Sequence, residues 1–146
     1  MKDYPMKILV AVDGSPSALR ATEYAAQLVA AVRAKSKITL ISVHDDTAFK
    51  HMKKFTPKGA LADYLRELSD KDLQTARKLL DKAEVAHDMI IKTGHVAEEI
   101  IKTAKSGKFD LIVLGAKGRS TFGDLLLGSV SQRVASASKL PVTLVK

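Results

Sequence analysis

The chain has 146 residues, 46% of them hydrophobic and 27% charged, with no cysteine and a formal net charge of +8 from 24 basic and 16 acidic residues. That length suits one domain, residues 1–146, with a substantial core. The missing cysteines exclude disulfides, thiol nucleophiles and cysteine-bound metal, and no apolar run is long enough for a membrane-spanning helix. The positive charge favours anionic partners. Aromatic residues are only 5% of the chain and no nucleic-acid-binding motif is present, so nucleic acid is not an expected partner. Met1 to Pro5 lead into a short strand without the apolar stretch of a signal peptide, so a cytoplasmic location is expected.

Lys7-Ile8-Leu9-Val10-Ala11-Val12-Asp13 reads as a buried strand running into the turn Gly14-Ser15-Pro16-Ser17. Pro16 suits a first helical turn and Ser15 its N-cap. The helix is predicted to reach about Lys35, with Ala21, Tyr24, Ala25, Leu28 and Val32 on one face. Ile38 to Val43 is the second strand, followed by His44. Residues 45–59 form a polar loop carrying Lys50, Lys53, Lys54 and Lys58. A long helix follows, from about Ala60 to Glu84, with Leu61, Tyr64, Leu65, Leu68, Leu73, Ala76 and Leu80 as its apolar positions. A weaker strand spans residues 86–92. Val96, Ile100, Ile101 and Ala104 mark a third helix, with Gly107 as its stop. Residues 109–114 form the fourth strand, 129–138 the fourth helix, and 141–145 the last strand, opened by Pro141. Strands alternating with helices imply parallel pairing through right-handed crossovers.

The densest signal is the segment after the fourth strand. Leu111-Ile112-Val113-Leu114 is continuously apolar, and it empties into Gly115, Gly118, Gly128 and Ser129 just before a helical pattern. Glycines let backbone approach an anion and adopt positive φ, and a helix N-terminus presents N–H donors and a positive dipole end. In an open parallel sheet, ligands lie beyond the C-terminal strand ends at the topological switch point. Asp13-Gly14-Ser15, Val43-His44 and Gly115-Ala116-Lys117-Gly118 all fall at such ends. If the first strand is central, these tips converge on a crevice suited to a nucleotide. The glycine loop and the first amides of the last helix would hold phosphates, and backbone near Val43 would meet a base. Asp13 would take ribose hydroxyls, or Mg²⁺ through water, because a bare carboxylate repels phosphate. His44 sits at the crevice, where a contact with the nucleotide is the alternative to its reading as a surface loop histidine.

The spacing Gly115-x2-Gly118-x9-Gly128-Ser129, followed by Val130, resembles the nucleotide-binding motif of the universal stress protein family. The resemblance extends over the whole chain, through Ile8 to Ser15, Gly94 with Glu98-Glu99-Ile100-Ile101, Phe109 to Gly115 and Leu140 to Val145. It implies an α/β fold of the adenine nucleotide alpha hydrolase-like kind: an open parallel five-stranded sheet, order 3-2-1-4-5, with helices on both faces. It also implies binding of ATP, or of ADP or AMP. Carried over by position, the contacts fall on Ala11, Asp13 and Val43, then on Gly115, Gly118, Arg119, Gly128, Ser129, Val130 and Ser131. Ala11 departs from members that have proline there. Lys117 and Arg119 add positive charge beside the loop.

The chain has no G-x4-G-K-[ST] loop and no G-x-S-x-G elbow, and its four histidines lack metal-ligand spacing. Fast phosphoryl transfer needs fixed metal ligands and a positioned nucleophile. The expected function is therefore a nucleotide-dependent sensor or switch in stress response, with no assigned catalytic residue and at most slow ATP hydrolysis. The alternatives are a nucleotide-activating transferase or phosphotransferase on the same fold, or an interaction module in which nucleotide is incidental. The apolar last strand would lie at a sheet edge, and the resemblance implies a homodimer through residues 142–146 and an unidentified protein partner.

Overall fold

The structure is a computed structural model that describes residues 5–32, 35–45, 57, 59–117 and 127–146. Ile8, Leu9 and Val10 are all fully buried, which requires a strand covered on both faces. That strand is β1 (Lys7–Ala11), and it lies at the centre of a sheet. Along the chain follow α1 (Pro16–Ala31), β2 (Lys37–His44), α2 (Ala60–Lys82), β3 (His87–Thr93), α3 (Val96–Ser106), β4 (Leu111–Gly115), α4 (Ser129–Ala137) and β5 (Val142–Val145). The strands form one sheet in the order β3-β2-β1-β4-β5, and every pairing is parallel. The expected architecture is the observed one. Among the described residues no helix is long and apolar enough to cross a membrane.

Alternation along each strand divides the core into two layers. Ile8, Val10, Ile38, Leu40, Leu111 and Val113 pack beneath α1 and α2, with Ala21, Ala25, Leu73 and Leu80. Leu9, Ile41, Ile112 and Leu114 face the other way, against Ile100 and Ala104 of α3 and Val134 of α4. The strand order reverses direction between β1 and β4, so the C-terminal ends of these two strands open the crevice where such sheets bind ligands.

The turn after β1 forms as its residues dictate. Gly14 takes φ +82°, a conformation costly to other residues. Ser15 caps α1 by accepting the Ala18 N–H at 3.2 Å, and Pro16 opens the helix. The helix ends at Ala31, short of Lys35, because Val32 is already extended. Its buried stripe is made of small residues: Ser17, Ala18, Ala21, Thr22, Ala25 and Ala26. That stripe lets α1 lie close to the sheet, and it turns Tyr24, an expected core residue, outward to 39% exposure. Tyr64 is likewise 49% exposed on α2, whose buried face is Leu65, Ser69, Leu73, Ala76 and Leu80.

Gly107 does end α3, but for a reason other than backbone conformation. Its φ is −83°, and the left-handed residue is the next one, Lys108, at +54°. A Cβ on Gly107 would fall 2.5 Å from the Phe109 ring, so glycine is required by packing.

Candidate functional site

A cleft opens at the C-terminal ends of β1, β2 and β4. Its empty space is about 580 Å³, counting the open mouth and the solvent in it. One set of walls is apolar: Ala11, Ile41, Val43, Val96, Ile100 and Leu114, all belonging to the layer under α3 and α4. The other set is polar and comprises Asp13, Ser15, Lys117 and the stretch Gly128 to Ser131. The structure therefore brings together Ala11, Asp13, Val43, Gly115, Gly128, Ser129, Val130 and Ser131 around one space. Gly118 and Arg119 lie outside the described residues.

The polar wall is built on the start of α4. Gly128 is its N-cap, in extended backbone with φ −73° and ψ 162°, and it has no side chain to cap with. The first intrahelical bond runs from the Gln132 N–H to the Gly128 carbonyl at 3.0 Å. The amides of Ser129, Val130 and Ser131 therefore lack intrahelical acceptors. No acidic residue stands in that first turn, whereas α2 has Asp63 and α3 has Glu98 and Glu99 in theirs. An N-terminus with a glycine N-cap and no acid in its first turn, facing a cleft, attracts an anion.

Three hydrogen bonds fix this N-terminus to the sheet. The Gly128 N–H donates to the Ala116 carbonyl at 2.7 Å, and the Ala116 N–H donates to the Val145 carbonyl at 2.7 Å. The Ser131 hydroxyl donates its proton to the Gly115 carbonyl, also at 2.7 Å. Ser131 thus has its backbone amide to offer a ligand while its hydroxyl braces the end of β4. Gly115 does not supply positive φ either. A Cβ there would fall 2.5 Å from Ser17 Oγ and 2.7 Å from the Ser17 carbonyl carbon, so this glycine admits the first turn of α1 against β4.

Opposite α4, the Asp13 carboxylate accepts the Ser15 N–H at 2.9 Å, which orients it at the mouth of the first turn. Its charge suits hydroxyl donors, or a hydrated Mg²⁺ shared with phosphates. Among the described residues no group of three His, Cys, Asp or Glu side chains could hold a metal by itself.

His44 is not a surface loop residue and does not line the cleft. It is the last residue of β2, and its ring lies on the α2 side with Nε2 3.8 Å from Asp72 Oδ2, both side chains mostly buried. Strand alternation explains this: Val43 faces the cleft, so His44 faces α2. Conversely, Ile41, Val96, Ile100 and Leu114 line the cleft although their sequence context marks them only as core. Period-2 alternation from Val43 would have found Ile41, but nothing local to α3 distinguishes a cleft wall from a core face.

The sequence pattern of the universal stress protein family matches residues 6–146. A universal stress protein of Thermus aquaticus is 33% identical over 144 residues, covering 95% of this chain and 97% of the relative. The solved structure of MJ0577 superposes with a TM-score of 0.83 at 28% identity, covering 97% of this chain and 95% of that one. A universal stress protein solved in complex with cAMP superposes with a TM-score of 0.73 at 27% identity, covering 99% of both chains. With the pattern matched over nearly its whole length, this chain belongs to the universal stress protein family.

Proposed function

We propose that the cleft binds an adenine nucleotide, ATP or its products ADP and AMP, and that the protein is a nucleotide-dependent switch in stress response with at most slow hydrolysis. The observation that carries this reading is the α4 N-terminus: three amides without intrahelical acceptors, a glycine N-cap with no side chain to offer them, and an apolar slot beside them. The family relative solved with cAMP supports the ligand class. The apolar walls around Val43 would receive the base, and Asp13 the ribose or a hydrated Mg²⁺. The amides of Ser129, Val130 and Ser131 would take phosphate oxygens, joined by Gly118 and Arg119. The half-buried edge strand β5 would carry the homodimer contact.

Native mass spectrometry of the purified protein tests the reading directly, with a bound adenine nucleotide expected. Protein that purifies empty, and whose melting temperature no adenine nucleotide shifts, would sink it. Gly118→Val is expected to abolish binding by placing a branched side chain where backbone must approach phosphate. Multiple turnover of ATP at ordinary enzyme rates, on the order of 1–10³ per second, would replace the switch with an enzyme. Removal of residues 142–146 should convert dimer to monomer in light scattering, and a monomeric full-length chain would refute the dimer.

A further inference from the structure

Ser17 lies in the first turn of α1, where Ser15 already performs the capping. It is only 4% exposed and is not among the described residues that line the cleft. Its hydroxyl nevertheless meets two other elements at once. Oγ accepts the backbone N–H of Lys117 at 3.2 Å and donates toward the Val145 carbonyl at 3.5 Å. The backbone of the same residue lies so close to Gly115 that no Cβ fits between them. Val145 in turn accepts the Ala116 N–H, and Ala116 accepts the Gly128 N–H, the N-cap of α4. Ser17 is therefore the hub of a hydrogen-bonded line from α1, through the end of β5 and residues 115–117, to the helix end that faces the cleft.

We propose that Ser17 is a positioning residue for phosphate: without touching the ligand, it holds residues 115–117, and through them the α4 amides, at the place where an anion meets them. This rests on the nucleotide reading of the cleft and adds a residue that the glycine motif does not contain. A hydroxyl is needed because one group must accept from Lys117 and donate to Val145, and alanine can do neither. Most of the apolar slot, Ala11, Ile41, Val43, Val96 and Ile100, comes from β1, β2 and α3, so its hold on a base does not pass through the Ser17 hydroxyl.

That division supplies the test. Wild type and Ser17→Ala are titrated calorimetrically with adenosine, AMP and ATP, each protein first melted to confirm folding. Ser17→Ala is expected to weaken AMP and ATP about five- to tenfold, the scale of one well-placed hydrogen bond, and to leave adenosine within about twofold. Amide exchange over residues 115–117 of the ligand-free variant should be faster. Equal losses for all three ligands, or nucleotide affinities matching wild type, would overturn the role. If Ser17→Ala does not fold, Ser17→Cys, with its weak donor and acceptor sulfur, should show the same phosphate-selective loss at smaller size, and a uniform or absent loss there overturns the proposal as well. Wild type that binds none of the three ligands overturns the nucleotide reading itself, an outcome distinct from failure of Ser17 alone.

Discussion

The start of α1 after β1 and the start of α4 after β4 occupy equivalent places at the C-terminal end of the sheet, yet the two helix ends are treated in opposite ways. After β1, Ser15 caps α1, Asp13 accepts the Ser15 N–H, and Pro16 removes an N–H that would lack a partner. The chain satisfies that N-terminus with its own atoms. After β4, the N-cap is Gly128, no side chain reaches the first-turn amides from that position, and no acidic residue stands in the first turn. Local stability is given up there, only a few tenths of a kcal/mol because glycine is itself a tolerated N-cap, and a place for an anion is gained. Two turns of similar origin thus differ in whether the anionic group is built in or supplied from outside.

The sharpest way to break the comparison is to give α4 the cap that α1 has. Gly128→Asp is compatible with the extended backbone at that position and places a carboxylate where phosphate would bind. Affinity for ATP should fall on the order of a hundredfold, while the melting temperature holds or rises. Calorimetric titration beside a thermal melt checks both signs, and unchanged affinity would refute α4 as the anion site. Next in size is Gly115→Ala, expected to cost about 1–3 kcal/mol in denaturant unfolding because its Cβ would overlap Ser17. A neutral result would show that α1 can retreat from β4. Ser15→Ala should destabilise by about 1 kcal/mol and lower ATP affinity by less than Gly128→Asp does, since α1 rather than α4 loses its cap.

The smallest effect is expected at the opposite end of the strands. There Asp88 of β3 pairs with Lys37 at 2.7 Å and accepts the Thr39 hydroxyl at 2.6 Å. Burial pushes the Asp88 carboxyl up, but the hydrogen bonds from Lys37 and Thr39 and the charges of Lys37 and Lys7 outweigh it and hold it below the ordinary aspartate value. A depressed folded-state pKa stabilises the protein at pH values above the unfolded pKa of about 3.9 and loses that contribution as pH falls through the folded value. The stability gap between wild type and Asp88→Asn should therefore be under about 1 kcal/mol near neutrality, because the pair is half exposed. It should close below about pH 4. A gap that is independent of pH would assign the effect to something other than ionisation.

Much of this contrast is legible in residue order. Ser15-Pro16 announces a capped helix, and Gly128-Ser129 ahead of a helical pattern announces an uncapped one. The aromatic positions mislead because periodicity at 3.6 marks a face without ranking its members. Tyr24 and Tyr64 lie at its margins, while the small residues of α1 set how close the helix comes. Gly107 and Gly115 misled differently: each reads as a conformational need, yet each is glycine because a neighbour, Phe109 two residues on or Ser17 far back in the chain, occupies the volume of a Cβ.

By itself, the sequence determined the alternation of strands and helices, the sheet order through its family resemblance, and the glycine segment that faces the crevice. These are properties of local pattern: apolar runs, caps and turn residues act within a few positions of one another. Only tertiary structure decided that Val96 and Ile100 complete the apolar wall, that His44 turns away to Asp72, and that Ser131 spends its hydroxyl on Gly115. It alone brought Ser17 against Lys117 and Val145. Such contacts join residues between 16 and 128 positions apart, and no local propensity encodes a distance that depends on how every element between them packs.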